Sequence, residues 1–259
     1  VTIWGDGVIT VNGKTVSAVL VDGKPFMGGS TKVAIQNLPK NAIDKLQVYQ
    51  QKNETNPFDS TTLVNIKLKK EMNFGHFGKL GASIGTQNRY SADAALSFFN
   101  PRTQLALVGA TNNTNKRALD INTLLNSASY KGIGTNMEYQ PDFRSQGLNQ
   151  PSSGGFIFMK SFSDNNDYLN KNELTANYFL SNDISKTLRN TQTRTALTDD
   201  SALLKLNNSA NNYNSTNQHF NAKYDFSNKT MEFYIAPSFN FNNNQSHSTQ
   251  LDNSSSSWQ

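Results

Sequence analysis

The residues that could do chemistry are few and poorly placed for it. Gly81-Ala-Ser-Ile-Gly85 matches the G-x-S-x-G pattern of a serine nucleophile, which needs a sharp strand-to-helix elbow. Here the pentad lies in an alternating strand and runs into Thr86-Gln87-Asn88, a turn composition, so small strand residues explain it better than a catalytic Ser83. His76, His219 and His247 are far apart, and none has a second His or a carboxylate at metal-ligand spacing. Asp164-Asn-Asn-Asp167 has the acids of a calcium loop but neither its Gly nor its terminal Glu, and Asp199-Asp200 reads the same way, as a solvated turn. Gly132-Ile-Gly134 lacks the third Gly and the strand-to-helix setting of a phosphate loop. With no Cys there is no thiol nucleophile, disulfide or cysteine metal site. We therefore expect no enzyme activity, catalytic residue, metal or cofactor. N-x-S/T triplets such as those at Asn53, Asn214 and Asn228 are expected by chance in so Asn-rich a chain.

Binding offers more. Tyr130, Tyr139 and Phe143, with Phe156, lie in or near a long polar connection at 111–154 among Gln, Asn and Arg. That composition suits stacking and hydrogen bonding to a large polar ligand. Folding of the connection back onto the rest of the chain is the alternative.

The elements that must position such groups fall into two halves. Residues 1–72 read as a small α/β unit. Tight-turn dipeptides, Asp6-Gly7, Asn12-Gly13 and Asp22-Gly23, separate short strands, and Ser30 is a candidate cap for a helix over 31–38 that Pro39 stops. Strands follow at about 45–49 and around Leu63, Ile66 and Leu68. From 73 to 259 the pattern changes to long strands of period two, at 77–86, 90–99, 103–110, 155–162, 168–195, 219–226 and 231–241. In the last, Met231, Phe233, Ile235, Pro237, Phe239 and Phe241 share one face, while Glu232, Tyr234, Ala236, Ser238 and Asn240 share the other. Short joins are expected near Asn88, at 100–102, 163–167 and 227–229, and long polar joins at about 111–154 and 196–206.

Composition bounds the class. The 259 residues are 36% hydrophobic and 17% charged, with a mean hydropathy of −0.60. No apolar run approaches the roughly 20 residues of a membrane helix. A membrane β-barrel remains open, because its strands average lipid-facing with lumen-facing residues. A soluble β-sandwich is the other candidate, though its strands usually have about 5 or 6 residues. The net charge of +5 is scattered, without the basic stripe that binds phosphate backbones, so no nucleic-acid partner is expected. Of the 36 Asn, 13 follow Ser201, and they are expected to mark turns, long loops and solvated faces. Val1-Thr2-Ile3-Trp4 reads as a strand without a leader, and 252–259 reads as loop, so a fragment is expected.

Ile9-Thr-Val-Asn-Gly-Lys14, Val19-Leu-Val-Asp-Gly-Lys-Pro-Phe26 with Gly28-Gly29, Asn37-Leu-Pro39 and Ala42-Ile-Asp-Lys-Leu-Gln-Val-Tyr49 occur in that order. They are followed by Asn65-Ile-Lys-Leu-Lys69, Phe77-Gly-Lys79, Arg89-Tyr90 and Asn112-Asn-Thr-Asn115. This succession resembles TonB-dependent outer-membrane receptors of the Bacteroidetes type, in the outer-membrane β-barrel protein family, over most of residues 1–117. The resemblance implies a mostly β chain in the outer membrane of a Gram-negative bacterium. Residues 1–72 would be the C-terminal part of a small α/β plug, and 73–259 about seven antiparallel strands of an incomplete transmembrane barrel, of about 22 strands when whole. Its partners would be outer-membrane lipid, an extracellular ligand of unknown type and an inner-membrane energy-coupling protein. That protein would engage a segment absent here, since no stretch is assignable as the coupling box. Asp22, Gly23, Lys24, Pro25 and Phe26 would form a plug loop, with a structural role favoured over ligand contact, and His219 would line the lumen. A non-transporting surface adhesin or glycan-binding β-domain is the alternative.

Overall fold

The computed structural model describes residues 2–3, 9–29, 31–52, 60–129, 141–142, 147–163, 171–198 and 201–258. The chain is mostly β. Its first part contains β1 (Thr2–Ile3), β2 (Ile9–Val11), β3 (Lys14–Val21), β4 (Lys24–Pro25), α1 (Thr31–Asn37), β5 (Ile43–Lys52) and β6 (Ser60–Leu68). These strands make a mixed sheet in the order β1-β2-β3-β6-β5, with β4 on β3. Strands β3 and β6 are parallel, and the other pairs are antiparallel. Apolar residues at helical spacing put Val33 and Ala34 of α1 in the core with Leu38 just beyond it, and Pro39 ends the helix. Ser30 and Asp6-Gly7 lie outside the described residues.

The second part is an antiparallel meander. It runs β7 (Gly75–Ile84), β8 (Tyr90–Phe99), β9 (Thr103–Asn112), α2 (Ile121–Ser129), β10 (Leu148–Ser161), β11 (Lys171–Thr198), β12 (Ser201–Ser227), β13 (Glu232–Ile235) and β14 (Ser238–Trp258). The sheet order is β13-β12-β11-β10-β9-β8-β7, and β14 pairs with the upper part of β12. The stretch expected as one strand at 231–241 is thus two, β13 and the start of β14. Pro237 cannot donate to the ladder, and the break falls at Ala236-Pro237. Ala222 N–H donates to the Pro237 carbonyl at 3.0 Å and carries the pairing across.

Three further expectations are corrected. The polar join at 196–206 does not exist, since β11 runs to Thr198 and β12 starts at Ser201. The tract at 252–258, read as loop, is the end of β14. Part of the long join at 111–154 is folded: β9 reaches Asn112, β10 begins at Leu148, and α2 lies between. In the first two cases intrinsic turn preference loses to cross-strand pairing. The Asn182 amide donates to Asn214 Oδ1 at 2.8 Å and Thr216 Oγ1 at 2.9 Å. Asn221 donates to Asn177 Oδ1 at 3.2 Å, and Asn207 to a carboxylate oxygen of Asp252. Asn does build turns where two residues must be fastened. Asn100 Oδ1 accepts from the N–H groups of Arg102 and Thr103, and Asn228 Oδ1 from those of Thr230 and Met231.

With 28 residues, β11 spans about 90 Å at 3.3 Å per residue. Its neighbour β10 starts opposite Lys186, so the upper ends of β11, β12 and β14 rise beyond the rest of the sheet. A single apolar core joins the small sheet, α1, α2 and one face of the meander; it includes Val19, Phe26, Val33, Val64, Ala106, Val108, Leu125 and Phe179.

Candidate functional site

The turn at 22–26 forms the joint between the small unit and the large sheet. Asp22 (φ 50°) and Gly23 (φ 82°) are both left-handed, as a two-residue hairpin turn between β3 and β4 requires. Asp22 Oδ1 accepts from the Leu68 N–H at 3.3 Å and pairs with Lys67 Nζ at 3.6 Å. Gly23 N–H donates to Asn65 Oδ1 at 2.8 Å. Beyond the turn, Lys24 is 7% exposed, and its ammonium donates to the Pro101 carbonyl at 2.6 Å, in the turn between β8 and β9. Burial holds the Lys24 pKa below its ordinary value, an effect that the nearby Glu173 and Asp22 carboxylates oppose and Arg102 assists. Phe26 is fully buried, 5.3 Å edge-on from Phe99 and 6.3 Å from Phe77 by ring centroids. Met27 N–H donates to Gln104 Oε1 at 2.8 Å. Asp22 and Gly23 are thus held within the small unit, Lys24, Phe26 and the Met27 backbone fasten it to the large sheet, and Pro25 stays exposed.

The two faces of the meander differ in kind, as strand periodicity requires when each faces a different medium. The face that carries the small unit is small and apolar beneath it, with Ala95, Ala106, Val108 and Ala110. It becomes amide-rich over β11, β12 and β14. One row there runs Ile157, Asn177, Asn221, Ser238, and the next runs Phe179, His219, Asn240. A cleft of about 420 Å³ opens between this wall and residues 119–122, with Gly28 of the small unit at its edge. Asn177, Phe179, His219 and Asn221 line it from the wall, and Gly28, Leu119, Asp120 and Asn122 from the opposite side. Asp120 Oδ1 is occupied as the cap of α2, accepting from Thr123 N–H at 2.7 Å.

The opposite, outer face is mostly apolar, in cross-strand rows. One row reads Leu96, Leu107, Phe156, Tyr178, Phe220, Phe239. The next below reads Phe98, Leu105, Phe158, Ala176, Ala222. Leu174, Tyr224 and Ile235 follow in a row that also holds Thr103 and Lys160, then Phe226 and Phe233 beside Asn172. Above, Leu80, Ala94, Gly109, Gly154, Leu180 and Phe241 make the last apolar row apart from Gln218, and Thr111, Ser152, Asn182, Thr216 and Asn243 begin a polar one. From residue 226 to 218 of β12 these rows cover about 27 Å of strand. A tilt of about 35–45° would reduce this to about 20 Å of height. Much of this face lies bare: Leu80 is 85% exposed, and Leu96, Phe98, Phe233, Ile235 and Phe239 are each about half exposed.

The remaining candidates are dispersed. Ser83 lies in β7, its hydroxyl 3.5 Å from the Ser91 carbonyl, and the strand continues through a turn into β8 without an elbow helix. His76 is beside Phe98, and His247 lies far up β14 opposite Asn212. Tyr130, Tyr139, Phe143, Gly132-Ile-Gly134, Asp164–Asp167, Asp199 and Asp200 lie outside the described residues. Among the described residues no group of three or more His, Cys, Asp or Glu could hold a metal ion, and no helix is long and apolar enough to cross a membrane, which leaves strands open.

Sequence reasoning missed Asn112, Arg117 and Asp183. Asn112 is fully buried, and the Arg117 guanidinium reaches Asp183 Oδ2 at 2.7 and 2.9 Å. Asp183 carried a usable signal, as one of two carboxylates, with Glu173, on the inward parity of β11. No family model matches the chain, and comparison with characterised proteins and with solved structures likewise found no match.

Proposed function

We propose that the chain is part of a TonB-dependent outer-membrane receptor of a Gram-negative bacterium, and that it takes up an extracellular ligand. The observation that carries this reading is the outer face: cross-strand rows rich in Leu, Phe, Tyr and Ile, much of them exposed, bounded above by Thr, Ser and Asn. Water disfavours so large an apolar patch. A bilayer requires one, with an apolar band about 25 Å tall facing lipid and polar residues facing a lumen. The ends of the meander support the same reading. Short turns at 100–102 and 228–231 lie at one end, while the other carries the connection at 113–147 and the projecting arms of β11, β12 and β14.

In this reading the seven rows of strand are one arc of a barrel wall of about 22 strands, and the small unit is plug material held against its inner side. Ligand would arrive from the end with the long connections and pass the amide-lined cleft. Movement of the plug, driven from the inner membrane, would open the path, with no covalent step. The reading is tested on the full-length protein in detergent and in vesicles. Heat-modifiable migration and protection of residues 75–250 from trypsin are expected. A monomer that stays soluble without detergent would refute it.

A further inference from the structure

The segment that follows β9 turns inward and crosses the inner face of the sheet. Asn112 makes that turn. Its Oδ1 accepts from Thr114 N–H, Thr114 Oγ1 and Lys116 N–H at 3.0–3.1 Å, and its Nδ2 donates to the Lys116 carbonyl at 2.8 Å. Asn113 ties the turn to the neighbouring β7–β8 turn: its Oδ1 accepts from Tyr90 N–H and its amide donates to the Asn88 carbonyl, both at 2.8 Å. Asn115, left-handed at φ 60°, accepts from Asn149 N–H at 2.9 Å at the start of β10. Arg117 then clamps Asp183 of β11, whose side chain is 7% exposed. Beyond it Ala118, Ile121, Leu124 and Leu125 are buried, and α2 lies across β7 to β11 and against α1.

These ties divide by chemistry. Directional polar bonds fix the segment to the strands of the large sheet. Against the small unit it sets α2, which packs beside α1 with Leu124 and Leu125 in the shared apolar core. Leu119, Asp120, Ile121 and Asn122 of the same segment form one side of the cleft whose other side is Asn177, Phe179, His219 and Asn221.

We propose that residues 113–129 are a strap, carried by the wall and latched by Arg117–Asp183, that closes this cleft and opens separately from the small unit. Its role as a closure rests on the receptor reading above; its independent movement does not. A receptor built this way has two closing elements, and displacement of the small unit alone leaves the strap in place. Unlatching the strap exposes the amide wall.

The test uses the full chain, which has no Cys, so that one introduced thiol is the sole reporter. Ala118→Cys reports on the strap, Leu124→Cys gives a second reading of the same motion, and Val19→Cys reports on the small unit. The rate of reaction with a membrane-impermeant maleimide is measured with and without Arg117→Ala. Both strap thiols are expected to react about tenfold or more faster in the Arg117→Ala background, as a local opening made more populated. Val19→Cys should be unchanged, and Arg117→Lys should restore protection. Unchanged strap rates overturn the latch, and equal acceleration of Val19→Cys overturns the strap as a separate element. Failure of the full-length protein to enter vesicles overturns the receptor reading and leaves the labelling result, read on the 259-residue chain in buffer, legible.

Discussion

Replacing Leu80 by Arg separates a lipid-facing sheet from a water-facing one. Leu80 is on the outer face in the middle of β7 and is 85% exposed. In water the substitution removes only the small buried fraction of a side chain worth about 1.5–3 kcal/mol when fully buried, and the effect should stay within about 0.5 kcal/mol. Facing lipid in the uppermost apolar row, between the midplane, where Arg costs about 2–4 kcal/mol, and the interface, where it costs about 0–1 kcal/mol, Arg should cost about 1–2 kcal/mol, about a 5- to 30-fold loss in the folded-to-unfolded ratio. Ile84, on the same face at the end of β7 and 92% exposed, gives the depth control. There Arg should cost only about 0–1 kcal/mol, as at an interface. The assay is a urea titration of the full-length protein folded into phospholipid vesicles, with the folded fraction read from its mobility in unheated samples. If both variants fall within about 0.5 kcal/mol of the parent, or if both cost the same, the inference from the outer rows to a bilayer is refuted.

Three other outcomes are expected. A Cβ at Gly155 would lie 2.0 Å from the Tyr178 carbonyl and 2.9 Å from Ile121 Cδ1, whereas at Gly109 the nearest atom is 3.8 Å away. Gly155→Ala should therefore cost about 1–3 kcal/mol or more by overpacking, and Gly109→Ala little, as read by urea titration. Phe26→Ala empties the joint against Phe77 and Phe99 and should cost about 3–5 kcal/mol in the same assay. Because Lys24 has its pKa lowered by burial, the unfolded chain holds more protons from that depressed value up to the ordinary 10.5. Its contribution to stability therefore rises with pH through that window. The difference between the parent and Lys24→Met should shift in the parent's favour as pH climbs, and a flat difference would refute the assignment.

How much was legible follows from which forces are local. The two-residue turns at 12–13 and 22–23 were readable, since Asn-Gly and Asp-Gly supply the left-handed pair that a hairpin needs. The strands at 90–99 and 219–226 were readable from period-two alternation. The long strand read at 168–195 is β11, but the upper halves of β12 and β14 were not readable, because Asn, Ser and Thr alone favour turns. Only the partner strand, which supplies pairs such as Asn182 with Asn214, makes them a ladder. Of the candidate site, His219 was already on the polar parity of its strand. Asn112, Arg117 and Asp183 were not grouped, since 66 residues separate Arg117 from Asp183.

The sequence by itself determined a mostly β chain with a small mixed unit ahead of a meander, and it determined which side chains share a strand face. Those properties depend on neighbours one or two residues away. Tertiary structure decided that Lys24 is buried and spans to Pro101, that the chain at 113–129 crosses the inner face, and that Leu and Phe from six strands align into rows. Such contacts depend on register between distant segments. Register is set by many weak pairings acting together, with no single residue carrying its signature.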